Sequence, residues 1–192
     1  MALKDKIKWD SKYSSNRNLL NPRDPSAAVV KNYKECSGNR ALDLACGAGR
    51  NSLFLEEKGF CVDAVDISHV ALDILKSRIK SSRVNIIESD LDAFILNEGE
   101  YDFIVKCNFL DRELINRAKK ALRVGGVMVV ETYVEDRENE KKDSNPNFLL
   151  EKGELLEIFK SGFEMLEYKT FWNESFEKYR MKKASIAVKK VQ

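Results

Sequence analysis

Glycines flanked by carboxylates are the residues of this 192-residue chain whose types and spacing could do chemistry. From Arg40 to Asn51 the chain reads RALDLACGAGRN. Ala41, Leu42, Leu44 and Ala45 around Asp43 form the short apolar run of a buried parallel strand, and it passes directly into Gly47, Ala48 and Gly49. A helical run over 51–58, packed through Leu53, Phe54 and Leu55, begins at once, so the two glycines must make the turn between strand and helix. Glycine there allows a positive φ and a close backbone approach to a ligand, and the first free amides of the helix point at whatever lies over the turn. Asp66 closes the next strand candidate, Asp90 follows the third and Asn108 the fourth.

Which ligand this turn would hold follows from what stands beside it. A dinucleotide fingerprint wants G-x-G-x-x-G with an acid about 20 residues on. Gly47, Gly49 and Asp66 satisfy most of it, but Ser52 occupies the place of the third glycine. Arg50 and Asn51 add bulk where a pyrophosphate needs room, and Asp43 in the first strand suits an ammonium better than a phosphate. Together they turn the expectation from a nicotinamide dinucleotide toward a nucleoside bearing an amino acid.

The elements that must position these residues alternate. A helix is expected over 26–33, strands over 61–66, 84–88, 101–107 and 127–132, and helices over 69–79 and 112–122. Ser68 is placed to cap the first of those helices, and Gly125-Gly126 to close the second. Residues 91–96 suit a helical turn or short helix. Alternating strands and helices with apolar strand cores predict an α/β, doubly wound, mostly parallel sheet. Residues 134–145 are charged and read as an exposed loop, while Phe148 to Phe159 restore a helix-like pattern. Strand candidates at 163–172 and 184–188 have no room for a crossover helix and should pair antiparallel.

Composition narrows the possibilities further. The length suits one domain, 25–192, preceded by a polar arm, 1–24, that carries Trp9 and Tyr13 and serves as an anchor or a lid. Four scattered cysteines (Cys36, Cys46, Cys61, Cys107) have no CxxC pair, and the three in or beside apolar strand candidates read as buried thiols. One histidine, His69, gives a zinc site or an imidazole triad little to work with, so no metal is expected; His69 itself reads as a surface residue. The start of the chain lacks an apolar signal and no segment approaches 18 apolar residues, which predicts a cytoplasmic protein without a membrane partner. With 33 basic and 31 acidic residues, the balance gives no reason to expect nucleic acid. A monomer or weak homodimer is expected.

These motifs resemble the class I S-adenosylmethionine-dependent methyltransferases over nearly the whole chain. LDLACGAGRNS matches the glycine loop, VDAVDIS the end of the second strand, ESDLDAF the third, YDFIVKCNFL the fourth and ALRVGGVMVVET the fifth. Within that class, WDSKY, GRNSLFL and FLLEKGELLEIF resemble the tellurite-resistance (TehB-like) branch. The resemblance implies a Rossmann-like, seven-stranded sheet of order 3-2-1-4-5-7-6, with the last-inserted strand antiparallel.

It also implies S-adenosylmethionine as cofactor and S-adenosylhomocysteine as product. Gly47 and Gly49 would frame the methionine part, Asp43 would hold its amino group or brace the turn, and Asp66 would accept from the ribose hydroxyls. Asp90 would meet the adenine amino group, with Leu91 giving a backbone amide and Ile67 an apolar face. Tyr13, Ala45, Asn51 and Lys106 are placed against the cofactor by the same resemblance, and Asn108 beside the methyl as a positioning residue.

The implied acceptor is a small molecule, either a metalloid oxyanion or a thiol. Arg137 and Arg180 are the tail residues able to attract an oxyanion, although each is more often a surface charge. Cys107, Asn108, Phe109 and Leu110 stand where an NPPY motif would mark amide or base methylation, and the tail lacks the histidine of the tellurite branch. A protein that keeps the fold and cofactor without turnover is the alternative, with a nicotinamide oxidoreductase behind it.

Overall fold

Residues 2–175 and 177–192, apart from the side chain of Ala2, are described by a computed structural model. The elements run α1 (Ala2–Ser15), α2 (Ala27–Asn32), β1 (Arg40–Leu44), α3 (Arg50–Glu57), β2 (Cys61–Asp66), α4 (His69–Lys76) and β3 (Val84–Glu88). They continue through β4 (Tyr101–Cys107), α5 (Arg112–Ala121), β5 (Leu122–Tyr133), α6 (Glu154–Ile158), β6 (Phe163–Trp172) and β7 (Lys182–Lys190). The strands form one sheet of order β3-β2-β1-β4-β5-β7-β6. β7 lies between β5 and β6, antiparallel to both, with Met128 opposite Val188 and Thr132 opposite Ala184. The expected strand order and the inserted antiparallel strand are both present.

Burial on two sides explains the apolar strand cores. Leu42, Leu44, Ile104, Met128 and Val130 face α5 and α6 through Leu114, Ile115, Ala118 and Leu155. The opposite face sets Ala41, Val62, Ala64, Phe103, Val105 and Val129 against Ala28, Val29, Leu55, Leu72 and Leu75 of α2, α3 and α4. Alternate residues of one strand therefore serve two cores, as a sheet covered on both faces requires. Every residue of β4 is buried.

Four expectations need correction. Gly125-Gly126 does not close α5; the helix ends at Ala121 because Leu122 is already extended, and β5 starts there rather than at residue 127. Gly125, at φ 81°, instead absorbs an irregularity in the β4–β5 register between Tyr101/Leu122 and Phe103/Val127. The helix-like pattern over 148–159 is broken: Leu150 bridges to Val134, and α6 begins only after Gly153. Residues 91–96 hold the expected helical turn, Phe94 N reaching back to Asp90 O, whereas α4 stops at Lys76 rather than at residue 79. Cys61, at the head of β2, is exposed, whereas Cys46 and Cys107 are buried.

Candidate active site

The mouths of β1, β2 and β3 hold the three carboxylates. Between β1 and α3 the chain turns through Ala45, Gly47 and Gly49, at φ 58°, 55° and 79°. Asp66, at the end of β2, clamps this turn: its Oδ2 accepts from Gly47 N at 2.8 Å and its Oδ1 from Ser68 N at 2.9 Å. A carboxylate offers about four lone-pair positions, so two N–H donors leave Asp66 room for two further donors. Burial pushes its carboxyl up from the ordinary value, against the pull of those amides. Asp90 accepts from Asp92 N at 3.1 Å and precedes the buried Leu91, while Ile67 is half-buried after Asp66.

Asp43 lies beneath the turn, 1% exposed. Its Oδ2 accepts from Ser52 Oγ at 2.6 Å, so the serine that replaces the third glycine is the partner that fixes Asp43. Burial pushes the Asp43 carboxyl up to about 6, with Ser52 and Arg50 pulling the other way. Such a group binds its proton more tightly folded than unfolded, so its ionisation subtracts stability fully above pH 6 and not at all below about pH 4. Asp43→Asn, which keeps an acceptor for Ser52, is therefore expected to be about 1 to 3 kcal/mol more stable than the parent at pH 7.5. In urea melts that advantage should fade toward pH 4; an equal difference at both pH values would show that burial does not penalise the Asp43 charge.

Helix α1 crosses these same mouths, which makes the expected arm a helix. Lys6 pairs with Glu88 at the end of β3, and Asp10 accepts from Ser68 Oγ at 2.6 Å and lies 2.7 Å from His69 Nδ1. Tyr13 stands over the glycine turn: a Cβ built on Gly47 would be 3.3 Å from its hydroxyl. Trp9 packs on Tyr13 at 5.7 Å between ring centroids. Asp10, which fastens α1 to the head of α4, was not among the expected site residues. His69, exposed as expected, is nevertheless its partner.

At the mouths of β4, β5 and β7 a second group of polar side chains collects. Glu131 accepts from Ser26 Oγ at 2.6 Å and lies 3.4 Å from Arg50 and 4.0 Å from Lys183. Arg50 also meets Glu174 at 3.1 Å, and Lys183, 2% exposed, stands 3.6 Å from Glu177. Tyr133 donates to Glu177. Asn51 is turned to the head of α2, its Oδ1 accepting from Ser26 N at 2.9 Å. Asn108 is exposed in a left-handed turn at φ 60°, its N–H on Glu131 O at 2.7 Å, so it does form the expected strand-end corner. The side chain of Lys106 runs under that corner, its amine donating to Phe109 O.

Arg137 and Arg180 do not join this group. Both are exposed, and the Arg180 guanidinium lies 3.6 Å above the Trp172 ring. The cations within the group are Lys183, buried, and Arg50, half-buried with 15% of its side chain exposed. A hollow of about 390 Å³ between α4 and β3 is lined by Leu72, Asp73, Lys76 and Ile86 and reaches His69 and Glu88 at the strand mouths. Among the described residues there is no group of three His, Cys, Asp or Glu side chains able to hold a metal, and no helix is long and apolar enough to cross a membrane.

A seven-stranded sheet of this order, with a glycine turn after β1 and an acid closing β2, is the fold of class I S-adenosylmethionine-dependent methyltransferases. Residues 6–184 match the family model described as "Tellurite resistance protein TehB", and the chain belongs to that family. A Haemophilus influenzae relative named "Probable S-adenosyl-L-methionine-dependent methyltransferase TehB" is 32% identical over 154 residues, 73% of this chain and 51% of the relative. The chain thus spans about half the length of that relative. The crystal structure of TehB from Haemophilus influenzae superposes with a TM-score of 0.74 at 26% identity, covering 94% of this chain and 66% of that one. A Haemonchus contortus N-methyltransferase, crystallised with phosphomonomethylethanolamine and S-adenosylhomocysteine, shares the fold at 16% identity and a TM-score of 0.67, over 86% of this chain and 52% of that one.

Proposed function

We propose that the chain binds S-adenosylmethionine across the mouths of β1, β2 and β3 and transfers its methyl group to a small molecule held at the mouths of β4 and β5. The observation that carries this is Asp66, a buried carboxylate that ties β2 to the glycine turn and keeps capacity for two hydroxyl donors. Gly47 and Ala45 would take the methionine portion, with Asp43 bracing the turn from below. Asp90, Leu91 and Ile67 would take the adenine. Bound there, the cofactor supplies an already activated sulfonium methyl, so the chain has only to hold the acceptor in line and exclude water. α1 would serve as the cover, and Asn108 would position the acceptor.

The cations at the second mouth, Arg50 and Lys183, are already paired with Glu131, Glu174 and Glu177, so they give an anion no net attraction. The family description makes a metalloid oxyanion the first acceptor to try. A thiol is the other. Turnover is tested by following S-adenosylhomocysteine release with tellurite and then with small thiols; binding without any release would leave the fold as a cofactor-binding protein.

Calorimetry tests the cofactor itself. S-adenosylmethionine is expected to bind in the micromolar range, about −8 kcal/mol, and NAD not at all. Asp66→Ala should weaken binding by about 1.5 to 3 kcal/mol through the lost charge-assisted hydrogen bonds. In the same titration Tyr13→Ala should also weaken binding while moving stability by less than about 1 kcal/mol, because α1 contributes little core. NAD binding, or unaltered affinity in Asp66→Ala, would refute the cofactor site; unaltered affinity in Tyr13→Ala alone would retire the cover.

A further inference from the structure

Lys106 is the penultimate residue of β4, the strand at the centre of the sheet, and is 0% exposed. Its Cα lies opposite Leu44, the last residue of β1, so it sits one strand spacing, about 4.8 Å, from where the glycine turn leaves the sheet. Its amine makes one hydrogen bond, to Phe109 O, and stands 5.0 Å from the Phe109 ring centroid. Among the described residues no carboxylate comes within ion-pair distance of it. The charged and titratable groups that face it are Asp111 and Arg112 at the head of α5 and Cys107 on its own strand, and they pull in opposite directions. Burial pushes the amine down to about 7. A methionine would fill the same space without leaving an amine unpaired, so the lysine is a cost to folding that a role at the mouth would explain.

Resting on the cofactor site proposed above, we infer that Lys106, a buried amine without a carboxylate partner one strand from the glycine turn, discriminates between the sulfonium of S-adenosylmethionine and the neutral thioether of S-adenosylhomocysteine. The two ligands differ by one positive charge at the sulfur. A protonated Lys106 beside the glycine turn, in surroundings of low polarity, repels the sulfonium and is indifferent to the thioether. Binding of the sulfonium in turn drives the proton off Lys106. The proton on Lys106 therefore works against loading and leaves retention of the spent cofactor untouched. The residue acts through charge and touches no reacting atom, which makes it a specificity-determining residue rather than a catalytic one.

The test is the pair of dissociation constants, for S-adenosylmethionine and for S-adenosylhomocysteine, measured by calorimetry from pH 5.5 to 8.5. In the parent protein, affinity for the sulfonium should rise about tenfold through pH 7 relative to the thioether. Asp43, titrating near 6, acts in the same direction, so the share due to Lys106 is what Lys106→Met removes. That variant should show a smaller rise and melt at a higher temperature. Lys106→Arg, charged at every pH, should bind the sulfonium weakly throughout and the thioether normally. An NMR titration of the lysine side chains in the free protein supplies a reading without ligand: one amine should titrate near 7 and vanish in Lys106→Met. A Lys106→Met profile identical to that of the parent, or no low-titrating amine, would overturn the inference. Failure of both ligands to bind at any pH would instead overturn the cofactor site beneath it.

Discussion

Glu131→Ala should lower stability by about 2 to 4 kcal/mol, a large fraction of what holds a domain of this size together. Glu131 ends the longest strand of the sheet, 4% exposed, and three elements converge on its carboxylate: Ser26 ahead of α2, Arg50 at the head of α3, and Lys183 of β7. Removing it leaves the half-buried Arg50 and the buried Lys183 short of a shared counter-charge, and weakening the pairing of a buried charge costs more than the pair is worth. Arg50 keeps Glu174 and Lys183 keeps Glu177, which is why the expected loss stops short of the upper range for broken buried pairs. Glu131→Gln, which retains the hydrogen bond from Ser26, should lose less. Urea melts of both variants decide the matter: a loss below about 1 kcal/mol in Glu131→Ala would mean the two cations reach solvent or their other carboxylates at little cost.

The central sheet was legible because β1, β2 and β4 are buried on both faces, and a strand covered twice shows as an unbroken apolar run. Asp66 and Gly47 were legible for a related reason, since turn geometry demands small residues at fixed places beside the strand end. What the sequence hid were partners distant in the chain. Nothing near Asp10 announces that it fastens to Ser68 and His69, and Ser52 reads as a missing glycine until Asp43 is found hydrogen-bonded to it. Lys183 reads as one more charge at the end of a strand in a lysine-rich tail. Only the insertion of β7 between β5 and β6 buries it against Tyr133 and Glu177. The glycine pair misled because a glycine that ends a helix and one that relieves a strand irregularity look alike in sequence, and here α5 passes into β5 with no loop between.

Burial works against charge of either sign at the strand mouths. Burial opposes the ionised forms of Asp43 and Asp66 and the charged form of Lys106, and all three lie within the mouths of β1, β2 and β4. Elsewhere the carboxylates of Glu154 and Glu167 are held below their ordinary range by Arg112 and by Lys31 with Asn32. Burial also opposes the charged forms of Tyr101 and Lys119 away from these mouths, so it is the grouping of three such charges at neighbouring strand ends that suits the proposed site for an ionic ligand.

Gly49→Ala should destabilise by about 2 to 4 kcal/mol and weaken the proposed cofactor site as well. Gly49 caps α3 at φ 79°, its N–H on Cys46 O at 2.9 Å and its carbonyl on Leu53 N at 2.8 Å, so both neighbours of the turn hang on its conformation. A side chain there meets two obstacles. The left-handed backbone costs an L-residue about 1 to 2 kcal/mol. A Cβ would also fall 2.2 Å from Leu75 Cδ1, inside any tolerable contact, and Leu75 is wholly buried under α4. Either Leu75 leaves its rotamer or α3 and α4 move apart, and moving α3 shifts the very amides that face the ligand. Gly59→Ala separates the two effects, since Gly59 has φ 92° and nothing within 4 Å of a built Cβ, so it carries the backbone strain alone. Gly59→Ala should therefore lose only about 1 kcal/mol and keep full affinity for S-adenosylhomocysteine. Equal losses in the two variants would show that Leu75 yields freely, and that close approach of α3 to α4 is not what makes glycine necessary in this turn.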